Sequence, residues 1–112
     1  MEIDVTGRHF QVTAPLKQYA AEKVRKLDKY SLKIESVHVV FDVQKFRHLS
    51  EIVLLAKGVR LTAKEDSTDM YAAFDKSFGN IQLQLSRRHD RVKDHRPAPR
   101  DRRTKTTARS RS

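Results

Sequence analysis

Cysteine is absent from the 112 residues, glycine and proline occur three times each, and no apolar run approaches the roughly 20 residues that a membrane-spanning helix needs. Each shortage removes a class of function. Without cysteine there are no disulfides and no thiolate metal ligands, a composition that suits the cytosol. With glycine only at 7, 58 and 79, there is no glycine-rich loop to cradle a phosphate. The opening Met1-Glu2-Ile3-Asp4 is acidic and leads into no apolar h-region, so no secretory signal is expected and the chain reads as a soluble cytoplasmic protein. At 38% hydrophobic residues, this length supports one domain with a modest core.

What the chain has in excess is positive charge. Its 24 Lys and Arg residues face 14 Asp and Glu, a formal net charge of +10. Much of the excess lies at one end, where residues 95–112 hold Arg96, Arg100, Arg102, Arg103, Lys105, Arg109 and Arg111 against Asp101 alone. Apart from Ala98 and Ala108 this segment has no apolar surface to bury, so it is expected to stay disordered until bound. The expected division is a folded domain over 1–94 and a basic tail over 95–112. Basic arms of this kind follow phosphate backbones and gain affinity by releasing counterions, which makes Arg100, Arg102, Arg103 and Lys105 candidate RNA contacts. A plain solubilising tail is the alternative reading.

Within the domain, hydrophobic periodicity marks the elements. Ile3 and Val5 alternate with Glu2, Asp4 and Thr6 as a half-buried strand that Gly7 is expected to end. Thr13-Ala14-Pro15 supplies a cap and a first-turn proline for a helix to about Tyr30, its stripe formed by Leu16, Tyr19, Ala20, Leu27 and Tyr30. Val37, Val39, Phe41 and Val43 form one face of a strand from Glu35 to Phe46. Lys45-Phe46-Arg47-His48 then reads as a hairpin, followed by strands over Glu51 to Lys57 and Val59 to Glu65. From Asp66 onward, Tyr71, Phe74, Phe78, Ile81, Leu85 and Val92 recur at helical spacing, with Asp66, Ser67 and Thr68 all suitable as caps and capping the expected role of Asp69 too. Gly79 is a mid-helix blemish at which a kink or a weaker second half is expected. The resulting class is α+β in the order β-α-β-β-β-α: an antiparallel four-stranded sheet with both helices packed on one face.

Two helices side by side turn their outer sides to the same solvent. Arg25, Lys26 and Lys29 on the first and Arg87 and Arg91 on the second are then expected to form one positive surface for the phosphates of structured RNA. Lys23 projects near the apolar stripe, laying its methylenes over the core and lifting its ammonium out. On the long helix, Lys76, Asn80, Leu83, Gln84, Arg87 and Arg91 read as the outward face. Catalysis finds little support. His9, His38, His48, His89 and His95 lie on different elements, His89 and Asp90 point about 100° apart, and the acids alternate with bases instead of clustering for a metal. Neither an enzyme nor a cofactor is expected.

Ile3-Asp4-Val5-Thr6-Gly7-Arg8, Lys26-Leu27-Asp28-Lys29-Tyr30, the run Val37 to Lys45 and above all Asp69-Met70-Tyr71-Ala72-Ala73-Phe74-Asp75 resemble the bacterial ribosome hibernation-promoting factor family, which includes the ribosome-associated inhibitor. The resemblance spans residues 1 to about 95. It implies the same β-α-β-β-β-α sandwich, double-stranded-RNA-binding-domain-like in shape, and a non-enzymatic factor of stressed or stationary cells. Such a factor sits on the small ribosomal subunit, where messenger RNA and the A-site and P-site transfer RNAs lie, and contacts its ribosomal RNA. The family's basic helix residues correspond to Lys23 and Lys26 and to Arg87 and Arg91. Because Asn80 and Leu83 interrupt the basic pattern of the second helix, contact is expected to lean on Arg87, Arg88, Arg91, Lys93 and the tail. The chain resembles the short forms, which lack a C-terminal dimerisation domain and include members that assist ribosome dimerisation and members that oppose it. No membrane, no small-molecule substrate and a monomer off the ribosome are implied. The alternative is a general structured-RNA-binding module not restricted to ribosomes.

Overall fold

The computed structural model describes residues 1–30 and 33–93, those from Arg88 onward as backbone. The elements are β1 (Glu2–Arg8), α1 (Ala14–Arg25) continued by a 3-10 turn (Lys26–Lys29), β2 (Ile34–Gln44), β3 (Arg47–Ala56), β4 (Val59–Ser67) and α2 (Met70–Lys93). The strands form one sheet in the order β1-β2-β3-β4. Both hairpins are antiparallel, but β1 runs parallel to β2, with Ile3 opposite Val37 and Val5 opposite Val39. The sheet is therefore mixed and not antiparallel as the periodicity suggested. The reason is topological: α1 carries the chain back along the sheet, so the strand after it restarts in the direction of the strand before it.

Alternation decides which face is covered. Val37, Val39 and Phe41 of β2 and Ile52 and Leu54 of β3 are fully buried under the helices. Leu16, Ala20 and Val24 of α1 and Leu27 of the 3-10 turn meet them from one side. Met70, Phe74, Phe78, Ile81 and Leu85 of α2 meet them from the other. Thr13 caps α1, its hydroxyl accepting from the Leu16 amide at 3.3 Å, and Pro15 occupies the first turn, where no backbone donor is needed. Deleting a ring as central as Phe74 costs about 3–5 kcal/mol through transfer energy and cavity formation.

Several boundaries move from where the sequence put them. β4 continues to Ser67, and α2 starts at Met70, capped by Asp69, whose carboxylate accepts from the Ala72 amide at 3.1 Å. Asp66, Ser67 and Thr68 are thus not the cap. Tyr71, assigned to the core stripe, is 38% exposed, because Met70 and Ala73 take the inward positions of the first turn and leave Tyr71 on the flank. β3 begins at Arg47, four residues before Glu51, and the hairpin contracts to Lys45-Phe46. Gly7 lies within β1 instead of ending it; a side chain there would collide with the Phe10 carbonyl. At Gly79 α2 is continuous, with no break in its helical run. The Val92 side chain and the tail over 95–112 lie outside the described residues.

Candidate nucleic-acid interface

The direction of the helices fixes where their charges meet. Along α2, Lys76 donates to the Asp66 carbonyl, Asn80 to the Glu65 carboxylate and Gln84 to the Thr62 carbonyl, so α2 descends as β4 ascends. The crossover from β1 to its parallel neighbour β2 makes α1 descend as well. The two helices are therefore nearly parallel and both end at the edge where β2 starts. Tyr19 on α1 stacks edge-on against Tyr71 at 5.1 Å and Phe74 at 5.8 Å, and its hydroxyl donates to Asp75 at 2.6 Å. That bond pushes the Tyr19 phenol up to about 12, helped by burial, by the charge of Asp75 and by Tyr71, so it stays a donor at neutral pH.

Below this aromatic clasp come the cations. Lys23 and Lys26 follow Tyr19 at spacings of four and three, on the flank of α1 that faces α2; Lys23 is half-buried, its ammonium 5.5 Å from the Tyr19 ring centre. Arg25 and Lys29 follow Gln18 and Glu22 on the side pointing away from the core, and both are exposed. Arg87 is exposed too, but it follows Asn80 and Gln84, which lean on β4, and so lies on the far flank of α2. Arg25 and Lys29 thus lie outward on the first helix and its 3-10 turn, and Arg87 on the far flank of the second. Asn80 and Gln84 are correspondingly not outward residues but half-buried props against β4. The side chains of Arg88, Arg91 and Lys93 lie outside the described residues, as do Arg100, Arg102, Arg103 and Lys105.

The ion pairs gather on one side of the domain. On the sheet face away from the helices, Arg47 pairs with Asp66, His38 with Asp4 at 3.3 Å, and Arg8 and His9 with Asp42 at 3.8 and 3.1 Å. Among the described residues, none of Lys23, Arg25, Lys26, Lys29 and Arg87 enters an ion pair. The sheet face also keeps Arg60 and Lys64 exposed and unpaired, so pairing is partial there, whereas the cations named on the helix face are all free of ion pairs. Lys23, Arg25 and Lys26 also sit at the negative end of the α1 dipole, each such placement worth roughly 0.3–1 kcal/mol, which lets them accumulate without unfolding the helix.

Burial pushes the Asp42 carboxyl up, but hydrogen bonds from His9, the Val43 amide and Gln44, with the charge of His9, outweigh it and hold the carboxyl below the usual range. Two histidines thus act as partners for acids in the sheet, and His48 sits half-buried with an unpartnered Nδ1. Among the described residues no three acids or histidines gather in a way that holds a metal ion, and no helix is long and apolar enough to cross a membrane. Sequence reasoning missed the clasp of Tyr19, Tyr71 and Asp75; its signal was the pair Tyr71 and Asp75 flanking the core position Phe74 on one side of α2.

A mixed sheet covered on one face by two helices that run in the same direction, with cations free of ion pairs on the helices, defines a basic α+β module. The chain belongs to the family described as Sigma 54 modulation protein / S30EA ribosomal protein, whose model matches residues 3–93. It is 34% identical over 95 residues to a ribosome hibernation promoting factor of Salmonella typhimurium strain LT2, a match covering 85% of this chain and all of that protein. Against the ribosome hibernation promoting factor of Escherichia coli K12 the identity is 33% over the same coverage. The fold matches a ribosomal subunit interface protein from Coxiella burnetii with a TM-score of 0.72 and 23% identity, over 79% of this chain and 97% of that one. It also matches the N-terminal domain of Thermus thermophilus Protein Y with a TM-score of 0.71 and 26% identity, over 78% and 98%.

Proposed function

We propose that this protein is a ribosome hibernation factor that lays the helix face of its domain on the RNA of the small ribosomal subunit. There it occupies the channel of messenger RNA and of the A-site and P-site transfer RNAs, silencing translation under stress or in stationary phase. The observation that carries this reading is the set of exposed cations Arg25, Lys26, Lys29 and Arg87 on the helices, none of them in an ion pair among the described residues, in a chain whose relatives are named for ribosome hibernation. A free cation meets a phosphate at no cost in broken pairs, whereas a paired one must first give up its partner. Lys23, Arg25, Lys26, Lys29 and Arg87 make the helix-face contacts, and Arg88, Arg91 and Lys93 extend them along α2. The tail residues Arg100, Arg102, Arg103 and Lys105 follow the messenger RNA path.

Co-sedimentation with small subunits, intact ribosomes and an unrelated duplex RNA at near-physiological salt tests the proposal. Saturable binding of about one protein per small subunit, with messenger RNA excluded, supports it. Equal binding to all three, abolished at moderate salt, replaces it with a general structured-RNA-binding module.

A further inference from the structure

The Lys45-Phe46 turn departs from folding preference twice. Gln44 pairs with Arg47, so the loop has only two residues, and Lys45 adopts a left-handed φ of 56°, where glycine or asparagine is the usual choice. Beside it Phe46 is 91% exposed, although a phenylalanine in water forfeits the burial that favours it elsewhere in the chain. Neither choice helps the fold, and strained backbone kept in place with an exposed aromatic points to use by a ligand.

The surroundings indicate which ligand. A groove of about 420 Å³ runs along Gln44, Lys45, Phe46 and Arg47, and another of about 360 Å³ lies between Phe46 and Lys76, floored by Asp66 and Thr68. Arg47 is held in place by its ion pair with Asp66, and Lys76 is anchored by donating to the Asp66 carbonyl at 3.2 Å. Among the described residues the other exposed large apolar side chains are Met1, Tyr71 and Leu83, and none of them lines either groove. A protein-docking hot spot centres on a packed apolar patch. A lone aromatic ring between ammonium groups instead matches a nucleotide, with a π face for the base and cations for the phosphates.

We infer that the β2–β3 turn is a second RNA contact, in which Phe46 stacks on an unpaired base while Lys45 and Lys76 meet the neighbouring phosphates. This rests on the ribosome-binding reading and extends it. The turn lies at the end of β2 opposite Lys29, so the 11 residues of β2 separate the two contacts by roughly 30 Å. Two anchors that far apart fix the orientation of the domain on its RNA, which one basic strip does not.

Small-subunit binding by the full chain and by Phe46→Ala and Phe46→Trp tests the inference, together with a photo-crosslinking phenylalanine analogue at position 46. Removal of one stacked base predicts about tenfold weaker binding for Phe46→Ala with an unchanged melting temperature. Phe46→Trp keeps its affinity, and its indole, the sole tryptophan in the chain, is quenched on binding. The crosslink forms to ribosomal RNA. Undiminished binding by Phe46→Ala, or a crosslink only to a ribosomal protein, overturns this inference and leaves the ribosome reading standing. Failure of the unaltered chain to bind small subunits overturns both.

Discussion

Ser77 has one hydroxyl proton, and the Phe74 carbonyl accepts it at 2.9 Å, so the bond of 2.9 Å between Ser77 and Ser50 must carry the proton of Ser50. Both residues are fully buried. This makes the pair asymmetric: Ser77→Ala strands the Ser50 hydroxyl and is expected to cost about 1–3 kcal/mol, whereas Ser50→Ala leaves the Ser77 proton satisfied and costs less. Denaturant titration of both single variants and the double variant checks the order; equal destabilisation refutes the assignment of the proton. Asp42 gives a second prediction at this scale. Its folded-state pKa is depressed, so its contribution to stability is complete above the unfolded value of about 3.8 and disappears as pH falls through the folded value. Urea titrations from pH 6 to 3 should show Asp42→Asn less stable at neutral pH but flatter than the unaltered chain below about pH 4.

At the scale of the element, Gly79 is the informative position. It is exposed, α2 is continuous through it, and a Cβ there meets nothing within 4 Å. Gly79→Ala should therefore raise stability by about 1 kcal/mol, read as a higher urea midpoint at constant slope. The helix does not break at Gly79 because packing of Phe78 and Ile81 against the sheet holds both halves down, and tertiary packing outweighs one poor propensity. The same logic separates what was legible from what was not. Strand alternation in β2 and the stripe of α2 reported burial directly, since both periods are geometric. The cap stayed open in the sequence because Asp66, Ser67, Thr68 and Asp69 are all competent, and the extension of β4 to Ser67 selects Asp69, for which capping was the expected role. The parallel pairing of β1 was invisible, as an edge strand alternates identically in either direction. In the candidate site, exposure of Arg25, Lys26, Lys29 and Arg87 was readable from helical spacing. Which flank each occupies depends on how the helices lie on the sheet, and that no local pattern encodes.

For the whole molecule, the uneven distribution of positive charge along the chain predicts how binding responds to salt. Removing residues 96–112 deletes seven basic residues and one acid, and the slope of log affinity against log salt should flatten by about 0.7–0.9 for every phosphate that the tail neutralises. Small-subunit binding measured between low and physiological salt checks this, and an unchanged slope excludes the tail from the interface. The props on β4 have a consequence of a different kind. β4 is an edge strand, and its outward carbonyls offer a template on which a strand from another molecule can pair. Gln84 and Lys76 occupy two of those carbonyls, at Thr62 and Asp66, from the flank of α2. The helix thus guards the sheet against polymerisation. Gln84→Ala should bind small subunits normally yet aggregate sooner on mild heating, detected by light scattering at high protein concentration.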